Sequence, residues 1–131
     1  MSHGHNTIPI VPIMKRLDRK HWRTPTEYGP SGWSIDNYDD DARIILSDAP
    51  LPPDIDPEQS WWRHASISRR SGMPSYDDLQ RLHRAVWPEG WAYQVFAAPE
   101  HHVNLSEFVL HLWGRPDGRM VLPNFGARGT I

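Results

Sequence analysis

The nine residues Trp61–Arg69, with the sequence WWRHASISR, decide the fold of this 131-residue chain. Their side chains alternate in character, which is typical of a β-strand with two different faces. Ala65 and Ile67 lie on the face that we expect to pack against the core. The opposite, polar face carries Trp62, His64, Ser66 and Ser68. The stretch therefore predicts a sheet that is covered on one side only.

The segments around this strand predict the remaining elements. Ser75, followed three residues later by Asp78, is typical of a helix start, and the helix is predicted over 76–87. Further strands are predicted over 42–47, 92–98, 108–114 and 120–122, the last following a turn signal at 116–118. The order β-β-α-β-β-β indicates an α+β fold, with one helix packed on a small, mostly antiparallel sheet. We expect the core aromatic residues to be Trp61, Trp87, Trp91, Tyr93 and Phe96.

Charge and proline content divide the chain into three parts. Residues 1–41 form an N-terminal arm that is mostly irregular, with about two turns of helix predicted within 14–23. Residues 42–58 hold the first strand and a Pro-rich, acidic connector that we expect to be stiff and extended, and residues 59–131 form the α+β domain. If the basic arm binds a partner, its contacts are Lys15, Arg16, Arg19, Lys20, Trp22 and Arg23. Alternatively, the basic arm and the acidic segment neutralise each other or remain solvated.

Composition excludes several classes of protein. The chain has no cysteine, which excludes disulfides, thiolate metal sites and a cysteine nucleophile. We see no apolar run of membrane-spanning length and no secretory signal, so we expect a soluble, cytoplasmic protein. The isoelectric point of about 6.4 speaks against a dedicated nucleic-acid-binding domain. Arginines 63, 69, 70, 81 and 84 would be the candidate contacts of such a domain.

Five short sequence motifs occur in a characteristic order along the C-terminal half. They are W-x-H-x-S-x-S from Trp62, PSYDDL at 74–79, YQVF at 93–96, HVN at 102–104 and LHLW at 110–113. In this order they resemble a family of small uncharacterised proteins of tailed phages and prophages, and are most similar to those of phages that infect actinobacteria. The resemblance covers about residues 61–126 and implies a phage gene product. It implies no activity, substrate or cofactor.

Two histidines are the candidate catalytic residues. If the strands of His64 and His111 are neighbours, both side chains face one groove, with Gln94 and Asn104 near its rim. Imidazoles titrate near neutral pH and act as general acid and base. The segment His64-Ala-Ser66 also resembles the histidine motif of two-histidine phosphoesterases, although the chain does not contain a second copy of that motif. The alternative is that these polar side chains bond one another and the sheet, or face water. The predicted binding residues are Trp62, His64, Ser66, Ser68, Gln94, Asn104, His111 and Trp113.

We expect no metal and no cofactor, because the remaining histidines lack a chelating spacing. His101 and His102 face opposite ways in extended chain, and His3 and His5 lie in the N-terminal tail. The first hypothesis is a phage-encoded accessory protein, a non-catalytic binding module for a host protein, a protein complex or a small nucleotide-like ligand. One alternative is a phosphoester- or nucleotide-processing enzyme that uses His64 and His111. Another is a virion or assembly component that uses its N-terminal arm.

Overall fold

In a computed structural model, residues 7–17, 24–97 and 109–120 can be described. They form two helices and six strands. In chain order the elements are α1 (Ile10–Leu17), β1 (Thr26–Glu27), β2 (Gly32–Asp39), β3 (Ala42–Pro50), β4 (Trp61–Arg69), α2 (Tyr76–Val86), β5 (Tyr93–Ala97) and β6 (Val109–Gly114). Neither helix in these ranges is long and apolar enough to cross a membrane.

The six strands form one open sheet in the order β1-β2-β3-β4-β6-β5, and every neighbouring pair is antiparallel. This confirms the predicted α+β class. β4 lies at the centre of the sheet between β3 and β6, as expected for its two-faced sequence. The strand predicted over 120–122 is not seen at Met120, and its other two residues lie outside the described ranges.

One face of the sheet is covered by both helices. Apolar side chains of β2, β3, β4 and β6 share a core with the buried faces of α1 and α2. α2 begins with the predicted cap: Ser75 Oγ accepts the Asp78 amide at 3.1 Å, and Asp78 Oδ2 accepts the Ser75 amide at 2.8 Å. The other side chains of the sheet therefore face away from the helices, as the alternation within β4 predicts.

The N-terminal segment contributes one helix to the core. The helix predicted within 14–23 is described only in part, because α1 spans Ile10–Leu17 and residues 18–23 lie outside the described ranges. α1 buries Ile10, Ile13, Met14 and Leu17. These positions follow the helical spacing, and they provide apolar surface that α2 alone does not supply. Residues assigned to the irregular arm also form β1 and β2, because a tight turn at residues 40–41 folds β2 back onto β3.

The Pro-rich connector is not extended, which corrects the sequence interpretation. The amides of Ile55 and Asp56 both donate to the carbonyl oxygen of Pro52 at 2.9 Å, so the segment turns on itself. It then lies against the face of the sheet opposite the helices, where Leu51 and Ile55 pack on Trp62. Proline limits the backbone without preventing such turns.

The acidic segment is largely neutralised by arginines of the domain. Asp48 makes a bidentate pair with Arg63, with both bonds at 2.8 Å. Asp39 lies 3.0 Å from Arg69, and Asp41 lies 3.6 Å from the same guanidinium. The carboxylates therefore bind within the fold, to arginines of β4 that the sequence analysis considered as nucleic-acid contacts.

Two of the aromatic residues expected in the core are exposed. Trp87 is buried as predicted, but Trp61 is 55% exposed and Trp91 is 59% exposed. Trp61 begins β4 opposite Pro50, at the end of the β3–β4 ladder, where the helices do not reach. The side chains of Tyr93 and Phe96 lie outside the description.

Candidate functional site

A groove of about 380 Å³ lies on the face of the sheet that the helices leave open. We call it the open-face groove. Its floor is formed by side chains of β3, β4 and β6, and Tyr28 reaches it from the turn after β1. The lining residues are Tyr28, Arg43, Ile45, Ser47, His64, Ser66, Ser68, Val109 and His111.

The sheet register brings two distant histidines into direct contact on this floor. His111 pairs with Ser66 across β4 and β6, and His64 pairs with Trp113, so the two histidines are diagonal neighbours. His64 Nε2 and His111 Nδ1 lie 2.6 Å apart, within hydrogen-bonding distance, although 47 positions separate the residues. One nitrogen of this pair donates and the other accepts.

His64 is held between two aromatic rings. Its ring centroid lies 4.8 Å from that of His111, in a stacked arrangement, and 4.3 Å from the ring of Trp113. Burial and the neighbouring charge of His111 lower the pKa of His64 to about 3. His64 is therefore neutral at physiological pH, because its positive form loses hydration and is repelled by a protonated neighbour.

This geometry limits the chemistry of the pair. A general acid and a general base that act on one substrate must both reach the reacting group. In the folded chain the facing nitrogens of His64 and His111 bond to each other instead, and the lowered pKa of His64 keeps this residue neutral. The pair is therefore not arranged to flank a scissile bond.

Hydroxyl groups and one arginine surround the histidines. Ser47 lies opposite His64 on β3, and Ser68 lies opposite Arg43 on the same pair of strands. Arg43 reaches across to Asp36, with its Nε 2.9 Å from a carboxylate oxygen, and both side chains are more than half exposed. No carboxylate lines the groove among the described residues, so its polar groups are hydroxyl and nitrogen donors. Such a lining favours an anion.

Several predicted site residues occupy other environments. Trp62 lies on the predicted face but is 1% exposed, because Leu51 and Ile55 cover it, so it is not available to a ligand. Its indole N–H donates to Asp56 Oδ2 at 2.8 Å. Trp113 is partly buried, and its ring packs against the ring of His64.

Neither of the two amide side chains predicted for the rim is described. Gln94 pairs with Leu112 in the β5–β6 ladder, and its side chain lies outside the description. Asn104 lies outside the described residues.

The predicted arm contacts are only partly described. Arg16 Nη1 donates to the carbonyl oxygen of Ala85 at 2.6 Å, so this side chain joins α1 to the end of α2. Lys15 is exposed in the last turn of α1. The remaining predicted contacts, Arg19, Lys20, Trp22 and Arg23, lie outside the described residues.

The sequence analysis missed five of the residues that line the groove. Tyr28, Arg43, Ile45, Ser47 and Val109 line the groove in addition to the predicted set. The strand predicted over 42–47 was a usable signal, because residues 43, 45 and 47 share one face of any such strand. In β3 these three positions are less buried than their neighbours at 42, 44 and 46. Pairing between β3 and β4 could not be read from the sequence.

Three of the arginines considered as nucleic-acid contacts are engaged within the chain. Arg63, Arg69 and Arg81 are all paired with aspartates of the same chain. No cluster of three or more metal-ligating side chains occurs in the described ranges.

Residues 55–117 match the family model of a domain of unknown function, DUF7694. The matched stretch includes β4, α2, β5 and β6, and with them both histidines of the groove. This agrees with the expectation of an uncharacterised family. No curated protein and no solved structure matches the chain.

Proposed function

We propose that this protein is a non-catalytic binding module that holds a small anionic, nucleotide-like ligand in the open-face groove. The observation that carries the proposal is the groove itself, about 380 Å³ in volume, with the bonded His64–His111 pair on its floor. That volume lies in the range of small-molecule sites in proteins. It suits a ligand of mononucleotide size.

The chemistry of the lining supports an anion. Ser47, Ser66 and Ser68 supply hydroxyl donors, and Arg43 supplies a guanidinium at the groove. Arg43 is bound to Asp36 in an exposed ion pair, which is weak enough to be exchanged for a ligand phosphate. Tyr28, which is half exposed, provides an aromatic ring at the same groove. A ring beside phosphate-binding groups is an arrangement that suits a nucleotide.

The alternative of a two-histidine phosphoesterase is less well supported. Its mechanism needs one imidazole on each side of the reacting group, whereas His64 and His111 bond directly to each other. The lowered pKa of His64 also makes it a weak base. Only a rearrangement that separates the rings would restore the roles of acid and base.

The alternative of an assembly component needs a free arm. In the described part of the arm, the apolar face of α1 is buried in the chain's own core, and Arg16 bonds α2. We therefore place the proposed ligand in the groove rather than on the arm. Given the resemblance to phage proteins, we propose that the module acts during infection in the host cytoplasm, where its ligand belongs to a host process.

Isothermal titration of the full chain with adenosine and guanosine monophosphates, in the presence of a chelator, tests the proposal. We expect one mononucleotide to bind per chain, and Arg43→Ala to weaken binding by about tenfold, because a charged hydrogen bond is lost. Arg81→Ala is the matched control, since Arg81 also forms an exposed pair with an aspartate but lies on α2. It should bind like the parent chain.

Two results would contradict the proposal. Absence of binding for inorganic phosphate and for every mononucleotide tested would exclude an anion site of this kind. Turnover of a nucleotide, followed by ³¹P NMR and abolished in His111→Ala, would show that the groove is catalytic.

A further inference from the structure

We propose that His64 Nε2 and His111 Nδ1 together form a two-histidine site for a divalent transition metal ion of the zinc class. The pair lies on the floor of the open-face groove proposed above to hold an anion, and the test of the metal site uses the metal alone. This proposal departs from the sequence analysis, which expected no metal because no chelating spacing was visible along the chain.

The two ring nitrogens lie 2.6 Å apart in a hydrogen bond. A metal ion bound by both would take the place of the proton between them, and that proton would move to the other nitrogen of its own ring. Zinc–nitrogen bonds of about 2.0–2.1 Å at a tetrahedral angle place two ligand nitrogens about 3.3 Å apart. The rings must therefore separate by roughly 0.7 Å, which small rotations of two side chains achieve.

The backbone holds these ligands in place. His64 and His111 are diagonal neighbours on β4 and β6, at the centre of a six-stranded sheet. Trp113 packs against the His64 ring, with the two ring centroids 4.3 Å apart, which limits the motion of that ring. Side chains that are fixed on strands lose little conformational entropy when they bind a metal.

The donor set selects the class of metal. Two imidazoles suit zinc, cobalt, nickel and copper, whereas magnesium and calcium require oxygen ligands that the described groove does not supply as carboxylates. Because no third His, Asp or Glu joins the pair in the described ranges, water completes the coordination. The site is therefore open and exchangeable, like catalytic rather than structural zinc sites.

Titration of the full chain with Co²⁺, followed by its visible ligand-field absorption, tests the site. Because His3 and His5 can bind metal in the N-terminal tail, the titration is made on the His3→Ala/His5→Ala chain. We expect one Co²⁺ per chain, displaced by Zn²⁺. His64→Ala and His111→Ala should each weaken binding by more than about tenfold. His83→Ala is the control, because His83 is a half-buried histidine that contacts Trp87 on α2.

A direct readout avoids variants that fail to fold. In the same chain labelled with ¹⁵N, Zn²⁺ should shift the ring resonances of His64 Nε2 and His111 Nδ1 and leave those of His83 in place. Absence of one-to-one binding, or binding that persists unchanged in both groove variants, would overturn the proposal. Shifts that occur only at other histidines would overturn it as well. Nucleotide binding in chelator would remain intact in each of these cases, so the two proposals fail separately.

Discussion

Arg69 at the end of β4 and Asp78 in the first turn of α2 are joined by two hydrogen bonds, 2.7 Å from Nε and 2.6 Å from Nη2. The same carboxylate accepts the backbone amide of Ser75, so one aspartate both caps α2 and fastens it to the sheet. The covered face of the sheet therefore depends on a polar contact at its edge as well as on apolar packing. The predictions below begin with this pair.

Asp78→Asn should lower the free energy of unfolding by about 2 kcal/mol, because it weakens two charged hydrogen bonds to Arg69, which keeps Asp39 and Asp41 as partners. Urea denaturation measures this loss. Asp77→Asn is the matched control: Asp77 is the preceding residue, 68% exposed, and paired with Arg81 at 2.7 Å. Its loss should change stability by less than about 0.5 kcal/mol. Equal effects of the two substitutions would show that the Asp78 pair does not fasten the helix.

The pair between Arg63 and Asp48 should contribute more than an exposed pair of similar length. Arg63 and Asp48 are 7% and 5% exposed, so Arg63→Ala leaves a buried carboxylate unpaired and should cost about 3–5 kcal/mol. Arg43→Ala, which breaks the exposed pair with Asp36, should cost less than about 1 kcal/mol. Thermal and urea unfolding of both variants measure the difference. The double substitution Arg63→Met/Asp48→Leu should recover part of the loss, since neither charge then remains buried.

Acid should destabilise the fold through His64. The unfolded chain protonates this residue near pH 6.5, whereas the pKa of the folded residue is about 3, because burial and the charge of His111 lower it. Between these values the unfolded state binds one more proton, so the free energy of unfolding falls as pH falls, by up to about 1.4 kcal/mol per pH unit. His64→Gln should remove most of this slope when denaturation is compared at about pH 7 and about pH 5.

His83 provides the comparison for that experiment. Burial and the charge of Arg84 lower the pKa of His83 as well, but by less than for His64. His83→Gln should therefore reduce the pH dependence of the free energy of unfolding in the same direction and by a smaller amount. A ring-proton resonance of His64 that titrates near pH 6.5 in NMR spectra would contradict the prediction made for His64.

The contribution of Asp78 to the pH dependence of stability appears at lower pH. Burial alone would raise the pKa of Asp78, but bonds from Arg69 and Ser75 hold it below 3.8, so that contribution is lost only as pH falls through this lowered value.

Asp56 should control the opening of the segment that covers Trp62. Its carboxylate accepts bonds from the amides of Glu58 and Ser60, both at 3.1 Å, and from the Trp62 indole at 2.8 Å. Arg115 lies 3.7 Å from the same carboxylate. Asp56→Ala should therefore speed amide hydrogen exchange at Glu58 and Ser60 by at least about tenfold, which corresponds to the loss of one to two kcal/mol of local stability.

Glu58→Ala is the control for Asp56→Ala. The Glu58 side chain is exposed in the same segment, and the bond to Asp56 uses its backbone amide, which the substitution keeps. Exchange at Ser60 should stay at its parent rate. If both substitutions speed exchange equally, the segment is opened by any change in the turn and Asp56 has no special role.

Local patterns determined the central elements of this protein. The alternation in Trp61–Arg69 and the Ser75 cap predicted β4 and α2 correctly, because strand pleating and helix capping depend on residues close in sequence. For the same reason, the polar face of β4 and the β6 stretch around His111 could be selected as candidates. The elements of the N-terminal segment were harder to predict. β2 is stabilised by pairing with β3, and α1 by burial against α2, and neither contact can be recognised from a short stretch of sequence.

Tertiary structure decided which of those candidates meet. The register between β4 and β6 sets His64 2.6 Å from His111, and a shift of one residue would turn His111 to the other face. The folded connector likewise removes Trp62 from solvent. Side-chain composition along the chain specified what a site would contain. Long-range pairing specified where it lies, because hydrogen bonds between strands join residues whose separation in sequence carries no signal of its own.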